Sequence, residues 1–451
     1  MKNRILFVHP NASKKIYQGL STNLSAIEPP IWAALLANHM RAKGYHDVSI
    51  LDCEAENLSP EEVASKIEDF DAKLTVFVVY GQQPSASSQN MQGVHDCLEI
   101  IKQNNPKRKV LLTGLYPSAV SRKTMIDEKT DFVCQGEGPR TITALMQVSN
   151  LEEPTQLEKV PGLWYRDEGH IKFTKPAALI SQDELHIELP GMAWDLLPMD
   201  KYRTSNWHAM SNNNVTQPFA SLYTSLGCPF RCSFCCINAP FGNNNVENWE
   251  YGRNKFRYWD PNFIIKEFDK IHEMGIRNVK IADEMFVLYE KHFMELSNLI
   301  IEREYDFNIW AYARIDTVKE KYLDTLKKAG VNWLALGIES GNTTVRKDVV
   351  KGKFTEFNIT DLVRQVQDAG AENHTLPNTY SGWSQHSYDM IPLDTKHVGA
   401  SEIVRFRDNA FNDYHEDEKY LSMIEGKFGI ETRNKMVDMC EYKLKRKLLG
   451  D

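Results

Sequence analysis

Three short apolar runs in the second half of the chain each end on polar residues: Asn278–Ala282 on Asp283-Glu284, Asn308–Ala313 on Arg314-Ile315-Asp316, and Trp333–Ile338 on Glu339-Ser340-Gly341. Around them, residues 260–274, 288–303 and 318–329 repeat apolar side chains at three and four spacing, the period of a helix with one buried face. A strand that reaches the next strand only through a helix must pair with it in parallel. In barrels built this way the carboxyl ends of the strands line the site. The charged run-ends are therefore predicted to converge on one mouth.

The segment leading into this series reads Ser-Leu-Gly-Cys228-Pro-Phe-Arg-Cys232-Ser-Phe-Cys235. The spacing puts three thiolates on one tight loop after an apolar strand, an iron-sulfur cradle with one ligand missing. Four cysteines close a cluster, whereas three leave one iron open to a ligand that is not protein. A zinc knuckle usually draws on two separated pairs, and the nearest histidine downstream is His272. A disulfide fits poorly with eight cysteines in 451 residues and no signal peptide, which read as reduced and cytosolic. Cys236 reads as a bystander, and Cys53, Cys97, Cys134 and Cys440 as small buried hydrophobes.

The first 150 residues follow the grammar of an open doubly wound sheet. Strands are expected at Arg4–His9, Val48–Asp52, Leu74–Val79, Lys109–Leu112 and Phe132–Gln135, with helices at Ile31–Arg41 and about 60–69, 88–104 and 139–149. No Gly-x-Gly-x-x-Gly follows the first strand, so a dinucleotide fingerprint is absent. The loops at the strand ends carry Glu28-Pro29-Pro30, the stretch from Tyr80 to Ser88 with Ser85 and Ser87, Gly114, and Gly136-Glu137-Gly138. Small residues let backbone approach a large ligand, although Gly and Ser also make ordinary turns.

At the cysteines and strand ends the chain resembles the radical S-adenosylmethionine superfamily. That resemblance implies a 4Fe-4S cluster on Cys228, Cys232 and Cys235, whose open iron is chelated by S-adenosylmethionine and which cleaves it reductively to a 5'-deoxyadenosyl radical. It implies an adenine contact for Phe234, a ribose-binding motif at Gly337-Ile338-Glu339-Ser340, and contacts to the methionine end for Asp283 and Arg314. For the last two an internal salt bridge across the mouth is an equal reading. The strand-end loops of the first 150 residues resemble the cobalamin-binding domain that precedes many such enzymes. The Asp-x-His-x-x-Gly signature that supplies a lower axial imidazole is not met, since Phe7 and Ala12 stand at the Asp and Gly positions around His9. Cobalamin is therefore expected to bind without a protein histidine.

The whole reads as an α/β chain: a doubly wound (Rossmann-like) cobalamin-binding domain over 1–150, a proline-rich connector over 151–218, a partial parallel radical S-adenosylmethionine barrel over 219–370, and a loop with helices over 371–451. The barrel looks shortened, because no strand-length run lies between Gly370 and Ile391. Helices are expected at 357–370, Ser401–Phe411 and Glu418–Leu449, with Lys443–Lys447 as a solvated helix face. Trp383, Gln385, His386 and Tyr388 form a polar aromatic loop, placed either at a substrate or as a plug against the barrel and terminal helices. A net charge of −8 leaves no footprint for nucleic acid, which with the lack of an extra amino-terminal cysteine set argues against tRNA methylthiolation, and no apolar run is long enough to span a membrane. The resemblance implies a cytoplasmic methyltransferase acting on a small metabolite or a lipid or saccharide precursor, fed by an external electron donor such as flavodoxin or ferredoxin. A radical rearrangement or cyclisation without methyl transfer, or a cofactor-binding protein with an impaired barrel, stand as alternatives.

Overall fold

The computed structural model describes residues 3–21, 24–81, 84–230, 232, 235, 237–241, 256–337, 379–392 and 398–451. Its first sheet contains β1 (Ile5–His9), β2 (Val48–Asp52), β3 (Leu74–Val79), β4 (Val110–Gly114), β5 (Phe132–Cys134), β6 (Leu163–Asp167) and β7 (His170–Phe173), in the order β2-β1-β3-β4-β5-β6-β7. The first five strands are parallel. β1 and β3 are buried along their whole length, as strands covered by helices on both faces must be. The helices Ile31–Ala42 and Pro139–Gln147 share one face's core; Pro60–Phe70 and Pro84–Asn104 share the other's. Because β1 sits between β2 and β3, the chain reverses direction across the sheet there, the place where such sheets take ligands at their carboxyl ends.

The sheet runs past residue 150, into the stretch read as connector. β6 and β7 form a hairpin that pairs antiparallel with β5. Glu168 and Gly169 make its two-residue turn, both at positive φ (48° and 81°), the geometry that matches strand twist. Leu163, Trp164 and Tyr165 are buried by it. The flanking prolines Pro161 and Pro176 concealed this strand pair inside a stretch that reads as connector.

The second sheet is parallel, in the order β13-β12-β11-β8, with β8 (Phe219–Leu222), β11 (Asn278–Ile281), β12 (Asn308–Arg314) and β13 (Val331–Gly337). The helices Pro261–Glu273, Glu290–Glu302 and Glu320–Lys328 alternate with its strands. A side hairpin pairs β9 (Ser225–Leu226) with β10 (Arg257–Tyr258). At the amino-terminal ends, Asn332 Nδ2 donates to Asn308 Oδ1 and Asn308 Nδ2 to Asn278 Oδ1, each at 2.9 Å, so an asparagine ladder closes that end. The expected end of the strand at Ile338, the helix over 357–370, the shortened stretch after Gly370, and Phe234, Cys236, Glu339 and Ser340 lie outside the described residues.

The tail differs from its expectation. Instead of one helix from Glu418 to Leu449 there are two, Glu418–Phe428 and Ile430–Cys440, broken at Gly429 with φ 87°. They pack Leu421, Ile424 and Met436 against Met210, beside Trp207 and Trp333. Lys443–Lys447 is not a helix face: Arg446 is buried in a bidentate pair with Asp408 at 2.9 Å and donates to Ser387 O. The loop over 379–392 docks on the first domain, where Tyr380 donates to Glu128 at 2.7 Å and Gln18 donates to His386 O at 2.7 Å.

Candidate active site

Strand β8 delivers the chain to the cysteine loop, and Asp283 at the end of β11 holds the junction. Its Oδ1 accepts from Thr224 N, and its Oδ2 from the hydroxyls of Thr224 and Ser225, all at 2.6 Å. Asp283 is therefore a structural anchor of the loop, and forms no salt bridge to Arg314. Gly227 follows at φ 82°, and Asn238 closes the loop by accepting from Cys228 N at 3.2 Å and donating to Phe230 O. The three thiols are free of disulfides, and burial pushes Cys228 up to about 12. Among the described residues no three His, Cys, Asp or Glu side chains converge on a single metal ion.

Around this loop the strand ends divide their roles. Arg314 chelates Asp316 at 2.7 and 2.5 Å and lies 3.3 Å over the Phe230 ring, which fixes the turn between the first two cysteines. Gly337 ends β13 and accepts from Ile315 N. Glu284, next to Asp283, is half-buried, with Oε2 itself inaccessible and lacking a hydrogen-bond partner among the described residues. Burial, with Asp283 nearby, raises its carboxyl to about 8. A desolvated carboxylate of this kind suits a cationic partner, and sequence reasoning passed over it in favour of Asp283.

The small-residue loops of the first domain are less uniform than their sequence suggests. Glu28, Pro29 and Pro30 line the cavity described below. Ser87 lies in the first turn of the helix Pro84–Asn104, and its hydroxyl is spent on the backbone: it donates to Val79 O at 2.5 Å and accepts from Tyr116 N at 2.9 Å. Ser85 shares that turn, so the expected loop is already helix there. Gly114, at φ 134°, packs so close to β3 that a Cβ would stand 2.2 Å from Val79 O, and Gly138 packs on Leu36. Gly136 alone of these glycines opens on space, with nothing within 4 Å of a Cβ. Glu137 turns away from that space to Arg257 of β10, 2.6 Å from its Nη1, and accepts from Ile180 N.

Between the sheets lies a cavity of about 430 Å³. The first domain contributes His9, Tyr17, Glu28, Trp32, Glu54 and Tyr80; the second contributes Ser221, Tyr223, Lys280, Ala282, Trp310 and Tyr312. His9 sits 3.4 Å from Glu54; burial opposes its charge, but Glu54 and Asp52 outweigh it and hold the imidazole above its ordinary value. Lys280 meets both oxygens of Glu28 at 3.1 Å. Burial works against its ammonium, and Glu28 with Tyr312 more than restores it. His386 also lines the cavity, while Tyr388 is exposed. Three thiols on one loop after β8, an open glycine after β5 and a cavity at the β1 switch point fit a cluster and a large planar ligand.

A doubly wound sheet and a second parallel sheet that leads into a three-cysteine loop face one another across one cavity. Residues 17–146 match the B12 binding domain and residues 222–385 the radical SAM superfamily. The chain thus carries a B12 binding domain followed by a radical SAM domain. It is 27% identical over 402 residues to an uncharacterised methyltransferase of Pyrococcus horikoshii, covering 89% of this chain and 78% of that protein. It is 25% identical to the anaerobic magnesium-protoporphyrin IX monomethyl ester cyclase of Rubrivivax gelatinosus, over 81% of this chain and 60% of that one. The fold superposes on the radical S-adenosylmethionine methyltransferase TsrM of Kitasatospora setae with TM-score 0.55 at 16% identity, over 79% of this chain and 63% of that one. On the cobalamin-dependent enzyme OxsB the TM-score is 0.56 at 18% identity, over 78% and 46%. The chain therefore spans between about half and four fifths of these proteins. No helix among the described residues is long and apolar enough to cross a membrane.

Proposed function

We propose that this chain is a cobalamin-dependent radical S-adenosylmethionine methyltransferase that places a methyl group on an unactivated carbon of a small molecule. The observation that carries the reading is the cavity: one wall is the switch point of the first sheet, the other the inner face of the barrel strands whose ends hold the cysteine loop. Cys228, Cys232 and Cys235 would hold the cluster, Glu284 the amino group of S-adenosylmethionine, and the loops at Glu28-Pro29-Pro30 and Gly136 the corrin. When bound, these groups supply the reducing electron, the radical initiator and the methyl donor.

The chain's own residues do the positioning. Arg314 lies over the Phe230 ring and Asn238 donates to Phe230 O, which anchors the chain just after Cys228. Trp32, stacked on Tyr80 at 4.6 Å, forms an aromatic wall that keeps water from the space between cradle and corrin loops. The electron comes from an external donor such as flavodoxin or ferredoxin, and the setting is the reduced cytosol.

Anaerobic purification with iron, sulfide and cobalt quantification tests the cofactors, and incubation with reductant and S-adenosylmethionine tests the chemistry. S-adenosylhomocysteine together with a methylated product is the expected result. A rearranged or cyclised product without S-adenosylhomocysteine moves the chain to the other chemistry, and protein that holds neither cobalt nor iron overturns the reading.

A further inference from the structure

The inner face of the second sheet carries a polar row that the cofactors do not require. Ser221 of β8, Lys280 of β11 and Trp310 of β12 stand opposite one another in register. Neighbouring parallel strands lie about 4.8 Å apart, so the three side chains fall on one line across the cavity floor. One layer higher in the same register stand Tyr223, Ala282 and Tyr312. The small Ala282 between two tyrosines makes a slot, with the Tyr312 ring centred 5.2 Å from Lys280 Nζ, and all six residues line the cavity.

Two donors on this floor have nothing to bond. Ser221 Oγ and Trp310 Nε1 are buried without a hydrogen-bond partner among the described residues. Buried polar groups are almost always satisfied, and the exceptions mark a ligand, a water or a functional site. Lys280, with a side chain only 7% exposed, is a third donor, and its counter-charge comes from the other domain: Glu28, 8% exposed. A cation and two further hydrogen-bond donors thus face one carboxylate across an aromatic space.

We infer that this well takes the head of a free α-amino acid, its carboxylate on Lys280, Ser221 and Trp310 and its ammonium on Glu28. The inference deepens the methyl-transfer reading and rests on it. The argument is charge conservation in a buried site. The walls already hold two matched pairs, Lys280 with Glu28 and His9 with Glu54. A bare anion would leave Glu28 uncompensated, and a bare cation would do the same to Lys280, each at the cost of an unpaired buried charge. A zwitterion exchanges one ion pair for two and leaves the net charge unchanged. It also gives Ser221 and Trp310 the acceptor they lack. The walls around the slot, Trp32, Tyr80, Tyr223 and Tyr312, then face the amino-acid side chain.

Equilibrium dialysis of the anaerobically reconstituted holoprotein tests this without turnover. The probes are an equimolar mixture of the twenty common L-amino acids and, in a parallel cell, their Nα-acetyl derivatives, with retention read by mass spectrometry. At least one amino acid should be retained, and its acetylated form should bind at least roughly tenfold more weakly, the loss expected when a charge-assisted contact is removed. Ser221→Ala should weaken retention by a similar factor while the ion pair stays intact. Because removing one partner of a buried pair endangers folding, the second variant is the double Glu28→Gln, Lys280→Met, which keeps the net charge and should retain no amino acid. Retention of no amino acid, equal retention of acetylated forms, or unchanged retention in the double variant overturns the inference. Iron and cobalt content measured on the same samples separates that failure from a failure of the methyl-transfer reading, which would show as lost cofactor in the unmodified protein.

Discussion

The pair between Glu137 and Arg257 ties the loop after β5 to the hairpin that flanks the cysteine loop, and Arg257→Met tests how much it contributes. Both side chains are nearly inaccessible, at 4% and 2% exposure. Removing one partner of such a pair costs about 3–5 kcal/mol, because the other charge stays buried. Two features place this pair at the lower end, about 3 kcal/mol on that scale. The 2.6 Å approach is off line for a hydrogen bond, so Glu137 Oε1 gains charge attraction without a directional bond. Ile180 N still donates to the carboxylate at 2.8 Å after Arg257 is gone. For a cooperative unit of roughly 150–250 residues that loss lowers the thermal midpoint by roughly 6–12 °C.

The deficit should also depend on pH. Burial holds Glu137 above the usual carboxylate range while Arg257 pulls it down, so the variant leaves burial opposed only by the Ile180 N hydrogen bond and Arg140. A carboxyl with a raised folded value favours folding below its unfolded value and loses that contribution as pH rises through the folded value. The deficit should therefore widen from about pH 5 toward about pH 8, by up to about 1.4 kcal/mol per unit. Thermal scans of the anaerobic apo-protein across that range are the assay, and Glu137→Gln combined with Arg257→Met should recover most of the loss. A deficit below about 1 kcal/mol, or one flat with pH, would show that solvent screens the pair and would refute the reasoning.

Cys228→Ala, Cys232→Ala and Cys235→Ala should each abolish the iron and sulfide content of reconstituted protein, since two thiolates cannot hold the cluster; a full complement in any of them sinks the assignment. Bound cob(II)alamin should show no nitrogen superhyperfine splitting in its paramagnetic resonance spectrum, and splitting that disappears in His9→Ala would place that imidazole on the cobalt. His208 bridges Thr204 and Asn308 O, each at 2.7 Å, and burial lowers its pKa to about 4. A lowered value means stability present above the ordinary histidine range and lost as pH falls, about 2 kcal/mol between about pH 7 and pH 5, so denaturant titrations should show a shallower acid slope in His208→Gln. Gly114→Ala should cost at least about 3 kcal/mol, because a Cβ there meets backbone at positive φ; a midpoint equal to the unmodified protein's would contradict the close approach of β4 to β3.

Local pattern made much of the architecture legible before any coordinates. The strands Val48–Asp52 and Leu74–Val79 and the helix Pro60–Phe70 follow from apolar runs and period, which are properties of neighbours in the chain. The cysteine spacing is likewise local, so the three-thiol loop could be read directly. The hairpin of β6 and β7 was not legible between its prolines, and the break at Gly429 was hidden by a helical pattern that continues on both sides of it.

What the sequence alone determined was which segments are strands, which are helices and where three thiols fall on one loop, because hydrophobic period and loop spacing act over a few residues. Tertiary structure decided which polar groups have partners. Asp283, read equally as a ligand contact or a salt-bridge partner, accepts from Thr224 and Ser225, Ser87 bonds Val79 and Tyr116, and Glu284 Oε2 is left without a partner among the described residues. The Lys280 pair with Glu28 joins residues 252 positions apart in the chain. No periodicity encodes such a contact: it exists only because two sheets close over one cavity, where low dielectric makes an unpaired charge costly and forces each buried group to find a partner from the other side.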